Sequence, residues 1–420
     1  PEVAATLTAL GCLGAAQGRY APAEPLLRRA LAIDERVLGP DHLEVALTLS
    51  ALASLDRLQG RYPDAELRTR RALAIREKTL GPEHPDVAVS LERLAALYRI
   101  QSRYAETEQL ARRALAIREK ALGPEHPGVI GPLVTLASLY DEQARYAQAE
   151  PLARRALAVA EKTLGPEHPQ TASALEPLAE LARVHGRYAD AETLDRRVLA
   201  IRERAFGPEH PDVAAALAGL AEISVLRQNG AQAESLARRA LAIQEKVLGP
   251  EHPDLARTLR ALADAQRLQN RYAEAEPGYQ RALAIDEKRL GPESPRVALD
   301  LDGLGTLYRL QSRYAQAEPL YRRAQAIGEK TLGPEHPQVA ASITDLASLY
   351  RAQSRFAQAE PLYQWALTLQ RKALGPNHPE VAESLEEYAA LLKQTNREAE
   401  AADLEAQARA IRAKLSAPSR

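Results

Sequence analysis

The chain has 420 residues, a formal net charge of −1 and 26% charged residues, with acids and bases interspersed rather than blocked. That balance excludes whole-molecule attraction to nucleic acid or to an anionic membrane. A single cysteine, Cys12, excludes an internal disulfide and any cysteine-based metal cluster, and no apolar run approaches the roughly 20 residues needed to cross a bilayer.

Ala, Leu, Arg and Glu dominate, a composition that favours helix. Gly-Pro recurs at Gly39, Gly81, Gly123, Gly165, Gly207, Gly249, Gly291, Gly333 and Gly375, each 42 residues after the last. A second marker, Arg-Tyr, keeps the same phase at Tyr20, Tyr62, Tyr104, Tyr146, Tyr188, Tyr272 and Tyr314, with Phe356 next; it fails at Gly230 and Glu398. Ten repeats fill the chain: 1–42, 43–84, 85–126, 127–168, 169–210, 211–252, 253–294, 295–336, 337–378 and 379–420.

Each repeat reads as two amphipathic helices. In 85–126, Val87, Ala88, Leu91, Leu94, Ala95 and Tyr98 recur at helical spacing, and so do Leu110, Ala114 and Ile117 after Arg103-Tyr104. Pro85 suits a first helical position, and Asp86 suits the positive end of the dipole. Gly123 suits a left-handed cap and Pro124 cannot continue the helix. Pro25, Pro151, Pro277, Pro319 and Pro361 are expected in the first turn or so of the second helix, where a missing amide matters least. Glu24, Glu66, Glu108 and Glu318 precede Arg28, Arg70, Arg112 and Arg322 by four residues, the favourable ion-pair order. Neither helix pair buries its apolar face alone, so the repeats must stack.

The eighth repeat carries Leu301, Leu304, Gly305 and Tyr308, then Ala317, Tyr321 and Ala324. This resembles the tetratricopeptide repeat. The 42-residue length, with "YAQAEPLYRRA" at 314–324 and "LGPEHPQVA" at 332–340, resembles the repeats of kinesin light chains and their bacterial relatives. The resemblance implies an all-α, right-handed α-solenoid (superhelix) of about ten helix pairs, a single array over 1–420 with 379–420 as its capping repeat. It departs from true kinesin light chains in lacking their heptad segment. The groove asparagine pair is also absent, since the matching stretches read Leu91-Glu92-Arg93-Leu94-Ala95 and Leu301-Asp302-Gly303-Leu304-Gly305.

"GPEHP" could belong to a metal site, a catalytic centre or a turn. Eight histidines, His42, His84, His126, His168, His210, His252, His336 and His378, share one place in the repeat, and Ser294 fills it once. Stacked helices lie about 8–10 Å apart, too far for equivalent nitrogens to share one metal. The histidines therefore read as caps, and His185 as a polar helix end. No phosphate loop, zincin motif or nucleophile elbow is present. The expectation is a non-catalytic chain with no cofactor and no metal.

A row of cations stands five residues before the Tyr marker: Arg57, Arg99, Arg183, Arg267, Arg309, Arg351 and Lys393. In the family this part of the first helix faces the concave groove, which implies a basic ladder suited to acidic peptides. Glu180 and Asp264 are close enough to neutralise Arg183 and Arg267. Arg57, Arg99, Arg309 and Arg351 have no such neighbour, and Tyr308 and Tyr350 adjoin the last two. Trp365 is expected to pack against the last repeat, and the row Gln59, Gln101, Gln143, Gln269, Gln311 and Gln353 to serve a turn.

The expected function is a protein-interaction scaffold that binds a peptide or protein segment, acidic if the ladder is used, in the concave groove of a soluble, cytoplasmic molecule. The alternative is a sensor or autoinhibitory arm of a larger signalling NTPase or protease. The chain starts at Pro1, has no Met, and opens on a repeat without a polar cap, so more protein is expected before Pro1.

Overall fold

The computed structural model describes residues 1–416, with side chains to 414. Its first helices are α1 (Glu2–Ala16), α3 (Leu43–Leu58), α5 (Pro85–Ile100), α7 (Ile130–Glu142), α9 (Pro169–Val184), α11 (Pro211–Leu226), α13 (Asp254–Leu268), α15 (Pro295–Leu310), α17 (Pro337–Ala352) and α19 (Pro379–Gln394). The second helices are α2 (Tyr20–Leu38), α4 (Tyr62–Leu80), α6 (Tyr104–Leu122), α8 (Tyr146–Leu164), α10 (Tyr188–Phe206), α12 (Gly230–Leu248), α14 (Tyr272–Leu290), α16 (Tyr314–Thr331), α18 (Phe356–Ala373) and α20 (Glu398–Ser416). Among the described residues there is no strand, and no helix is long and apolar enough to cross a membrane. By packing, the chain forms two compact units: residues 1–178, 194–219 and 238–255, and residues 179–193, 220–237 and 256–420.

Two different backbone turns separate the helices. After each second helix, Gly123 and its counterparts lie at φ 84–95°. At Gly123 ψ is 156°, so this is not the left-handed helical cap expected from the sequence but an extended conformation at positive φ that only glycine adopts readily. The left-handed residue instead follows the first helix: Ser102 (φ 57°), Ala144, Ser312 and Ser354 hold the place where Gly60 and Gly186 stand elsewhere. The amide of Arg103 reaches back to the carbonyl of Tyr98 at 2.8 Å, closing the C-terminus of α5. Gln101, Gln143, Gln311 and Gln353 are the residues immediately after their helices, as a turn role requires.

The second-helix prolines lie deeper than expected. Pro25, Pro151, Pro277, Pro319 and Pro361 sit inside their helices beyond the first turn. All five are exposed, so the carbonyls deprived of a partner can bond water, and the helices run on.

In the first compact unit α3 and α5 are each sandwiched between two second helices. Leu52 and Leu55 of α3 pack on Tyr20, Ala23 and Leu27 of α2, while Val45, Ala46 and Leu49 meet Ala72 and Ile75 of α4. Val87, Leu91, Ala114 and Ile117 repeat the arrangement one step on. Each buried Leu or Ile contributes roughly 1.5–3 kcal/mol of transfer free energy. In the second unit the same positions enlarge into a Tyr-rich core with Tyr279, Tyr321 and Tyr363 fully buried. First helices also approach one another directly, α1 with α3, α3 with α5, α5 with α7, α15 with α17 and α17 with α19. They therefore line the inner side of each stack, and the second helices lie outside.

Candidate functional site

Each letter of GPEHP has a structural task. The Pro82, Pro124 and Pro292 carbonyls accept from Arg113, Arg155 and Arg323 of the following repeats at 3.0, 2.9 and 3.1 Å. Glu125 and Glu209 pair with Lys162 and Lys246, 37 residues on, at 2.6 and 2.8 Å. His84 and His378 accept the amide two residues on through Nδ1, each at 3.2 Å, and the second proline opens the helix. Ser294 performs the same cap with its hydroxyl, which explains why it replaces histidine there.

Because Nδ1 accepts the cap bond, the ring proton lies on Nε2. Among the described residues His210, His252 and His378 use it. Within the first compact unit His210 and His252 donate to the carbonyls of Ala16 and Leu58, at 3.1 and 2.8 Å, 194 residues away. Within the second, His378 donates to Val184. The chain comes close here: a Cβ at Gly60 would sit 2.7 Å from Pro253, and one at Gly186 would sit 2.3 Å from Pro379. Sequence spacing alone gave no sign of these contacts. Among the described residues no group of three or more His, Cys, Asp or Glu side chains is placed to hold a metal ion.

The Arg-Tyr marker also proves to be more than punctuation. Arg103 pairs with Glu66 at 3.0 Å and lies over the ring of Tyr98, 3.6 Å from its centroid, while the Tyr98 hydroxyl donates to Glu66. Arg145, Tyr140 and Glu108 repeat this clasp, as do Arg313, Tyr308 and Glu276, and Arg355, Tyr350 and Glu318. The glutamates keep their expected bonds to Arg70, Arg112 and Arg322 as well. Tyr308 and Tyr350 are thereby 7% and 5% exposed, held in the packing between repeats.

The cation row divides sharply. Arg183 bonds Glu180 and Arg267 bonds Asp264, each at 3.0 Å, as their spacing predicts. Arg99 was expected to be free but pairs with Glu142 of the next repeat, a partner that inspection of one helix could not reveal. Lys393 pairs with Glu405. Arg57 is exposed and, among the described residues, forms no ion pair. Among the described residues Arg351 reaches only the hydroxyl of Tyr363, at 3.3 Å, and Arg309, beside the Tyr321 hydroxyl, keeps a buried Nε with no hydrogen-bond partner.

Around these last two arginines, α15, α17 and α19 bring carboxylates that the sequence reading passed over. Ser342 donates to one oxygen of Asp302 at 2.7 Å, and the other oxygen is buried without a partner. Burial, and then the neighbouring Asp345, push Asp302 well above the usual carboxylate range. Burial also raises Asp345 to about 7, with Glu387 adding to the rise and Arg309 opposing it. Glu387 bonds both Ser348 and Tyr363. The signal available beforehand was that Asp345 and Glu387 hold one place in successive repeats where Ala51, Gly219, Ala261 and Gly303 stand elsewhere.

Trp365, expected against the last repeat, is only partly covered. It is 40% exposed on α18, where the other repeats place an arginine such as Arg113 or Arg155 against the preceding repeat.

Stacked, antiparallel helix pairs with small residues at their crossings and a lined inner face define an α-helical repeat protein of the interaction type. Residues 2–78, 70–120, 86–162, 129–183, 219–288, 269–330 and 297–372 match the tetratricopeptide repeat, as do 171–212 and 344–415, and the chain belongs to that family. Its repeats are similar to the kinesin light chain TPR-like repeats of Podosopora anserina: 30% identity over 49% of this chain and 98% of that one, TM-score 0.39. BtubC (BKLC) from P. vanneervenii is 20% identical over 57% of this chain and 94% of that one, with TM-score 0.41. A Rap protein complexed with competence and sporulation factor is 13% identical over 79% of this chain and 99% of its own, TM-score 0.57, a likeness of fold alone. No curated protein matches the chain.

Proposed function

We propose that the chain is a non-catalytic scaffold whose inner face binds a peptide or protein segment, with the α15–α17–α19 stretch as the principal contact. One observation supports this reading: polar side chains on that face are left unsatisfied by the protein itself, above all the buried Nε of Arg309 and Oδ1 of Asp302. An unpaired buried polar group is costly, and a ligand that pairs it recovers that cost. The basic ladder narrows accordingly. Arg99, Arg183, Arg267 and Lys393 are occupied by carboxylates, so an acidic segment finds its grip at Arg309 and Arg351, with Arg57 a separate contact. Asp302, Asp345 and Glu387 limit how much negative charge that segment carries there, favouring one carboxylate over an acidic run.

The test is affinity capture with the intact chain, comparing wild type with Arg309→Glu plus Arg351→Glu and mapping the bound segment by cross-linking. Loss of the captured partner, with helical content unchanged by circular dichroism, is expected. An unchanged partner set would remove the arginine reading. Cross-links confined to the second helices would remove the inner face as the site.

A further inference from the structure

Arg76 and Arg93, in the first compact unit, have no carboxylate partner among the described residues. Arg76 of α4 is 7% exposed, yet it donates only to hydroxyls and a carbonyl: Ser50 Oγ at 2.9 Å, Ser90 Oγ, and the carbonyl of Ala46 at 3.5 Å. Its counterparts are matched differently. Arg118 and Arg202 each pair with the acid 26 residues earlier, Glu92 at 2.8 Å and Glu176 at 2.7 Å; before Arg76 that place is Ser50. Arg93 of α5 brings a second charge to a place where the adjoining repeats have Ala51 and Thr135. It is half-buried, and its one hydrogen bond among the described residues runs from Nη1 to the carbonyl of Ser50 at 2.6 Å. Ser50 thus receives both guanidinium groups, one on its hydroxyl and one on its carbonyl.

Arg57 lies about two turns beyond Ser50 on α3, exposed and without an ion pair among the described residues. The three cations share one field: burial lowers Arg93 below its ordinary value, and Arg76 and Arg57 lower it further against Cys12 and Glu92. Glu92 is itself committed to Arg118, and Asp86 acts on Arg76 without forming an ion pair. Like charges gathered where water is scarce cost stability, and an anion that pairs them recovers that cost. We infer that Arg57 and Arg93, with Arg76 behind Ser50, form a site for a phosphoryl group between α3 and α5.

Charge selects the ligand class. Three cations that meet one carboxylate keep two charges uncompensated. A phosphate monoester, nearly doubly charged at neutral pH, leaves about one, and its oxygens accept guanidinium forks in paired geometry. Arg309 sets no such demand, because Asp345 and Glu387 already act on it. The phosphoryl site therefore lies outside the α15–α17–α19 reading and stands or falls independently of it. A phosphorylated side chain of a protein segment and a small phosphate ester offer the same chemistry, and the test separates them.

The probes are phosphoserine itself and the peptide acetyl-Ala-Ala-phosphoserine-Ala-Ala-amide, titrated into the intact protein at constant ionic strength and read by phosphorus NMR and calorimetry. Peptides with serine or glutamate in place of the phosphoserine serve as controls. Saturable binding of a phosphate probe is expected, about tenfold or more tighter than the glutamate peptide. Cys12, the sole cysteine, is exposed and lies in the field of Arg93, so it reports where binding occurs. Occupation should slow its alkylation by iodoacetamide about threefold or more, because the anion cancels the charge that favours the thiolate. Arg57→Glu, at an exposed site, should weaken binding about tenfold or more. Ser50→Glu should do the same by giving Arg76 the partner that Arg118 and Arg202 have, with thermal stability kept or raised, which separates the loss from structural damage. Tighter binding of the phosphopeptide than of phosphoserine assigns the site to a protein segment, and equal affinity assigns it to a small phosphate ester; both support the inference. Absence of saturable binding by either phosphate probe overturns it, as does equal binding of the glutamate peptide or binding that ignores both substitutions.

Discussion

The clasp between repeats and the helix crossings of α13–α18 are built from different positions of the same repeat, and they behave oppositely. In the clasp one solution recurs: Glu66, Tyr98 and Arg103 are copied as Glu108, Tyr140 and Arg145 and again as Glu318, Tyr350 and Arg355. At the crossings the buried tyrosines Tyr279, Tyr321 and Tyr363 of the second helices meet three different partners on the first helices, Asp264 at 2.6 Å, Thr306 at 3.1 Å and Ser348 at 2.8 Å. Contacts that every repeat makes with its neighbour must be periodic. Contacts free of that duty can vary, and variation is what selects a partner.

The contrast can be broken most forcefully where two segments approach closely. Gly186→Ala places a methyl group 2.3 Å from Pro379 at a residue with φ 71°, and should destabilise the second compact unit by about 2–3 kcal/mol in urea unfolding. Gly123→Ala, with open space around its Cβ, should show only the backbone part of that effect. Next comes the clasp. Glu108→Ala removes the acceptor of the Tyr140 hydroxyl (2.8 Å), Arg112 (2.9 Å) and Arg145 (3.0 Å), and should cost about 1–2 kcal/mol by the same measurement.

A fourth substitution should go the other way. Asp345 has its carboxyl raised to about 7, chiefly by burial, so the folded chain holds a proton that the unfolded chain releases near the ordinary value of 3.8. Its contribution is therefore full below about pH 4 and is lost as pH rises towards 7. Asp345→Asn should raise the Tm at pH 7.5, leave it nearly unchanged at pH 4, and flatten the profile between. His378 has the opposite sign: burial lowers its pKa from 6.5, so the cap accepted at Nδ1 is secure above that value and is lost as pH falls below it, whereas the bond from Nε2 to Val184 favours the protonated ring and survives. The smallest effect belongs to the outer ion pairs. Lys162→Ala, losing a contact to Glu125 in which both side chains are mostly exposed, should change stability by less than about 0.5 kcal/mol.

The fold was legible because its signals are local and copied many times. Proline and glycine at fixed places mark helix ends, and apolar residues at helical spacing mark the buried stripe. What escaped was everything that crosses between repeats. Glu180 with Arg183 could be seen on one helix, but Arg99 with Glu142 could not, although a constant separation of 37 residues between Glu125 and Lys162, and between Glu209 and Lys246, was open to inspection. The turn after α6 was misjudged for a different reason: Gly-Pro specifies positive φ but leaves ψ undetermined. The acids around Arg309 were overlooked because abundant carboxylates on helices are ordinarily solvated, and only packing reveals which are not.

The 37-residue interval has a genetic consequence. A Lys that reaches back to the acid of the preceding repeat finds an equivalent acid after any insertion or deletion of 42 residues, and finds none after a change of another length. Gain or loss of a whole repeat thus rejoins the outer ladder with like residues, so homologous chains are expected to differ in length by multiples of 42. Partner choice can then drift repeat by repeat on the inner face while the joints between repeats stay interchangeable.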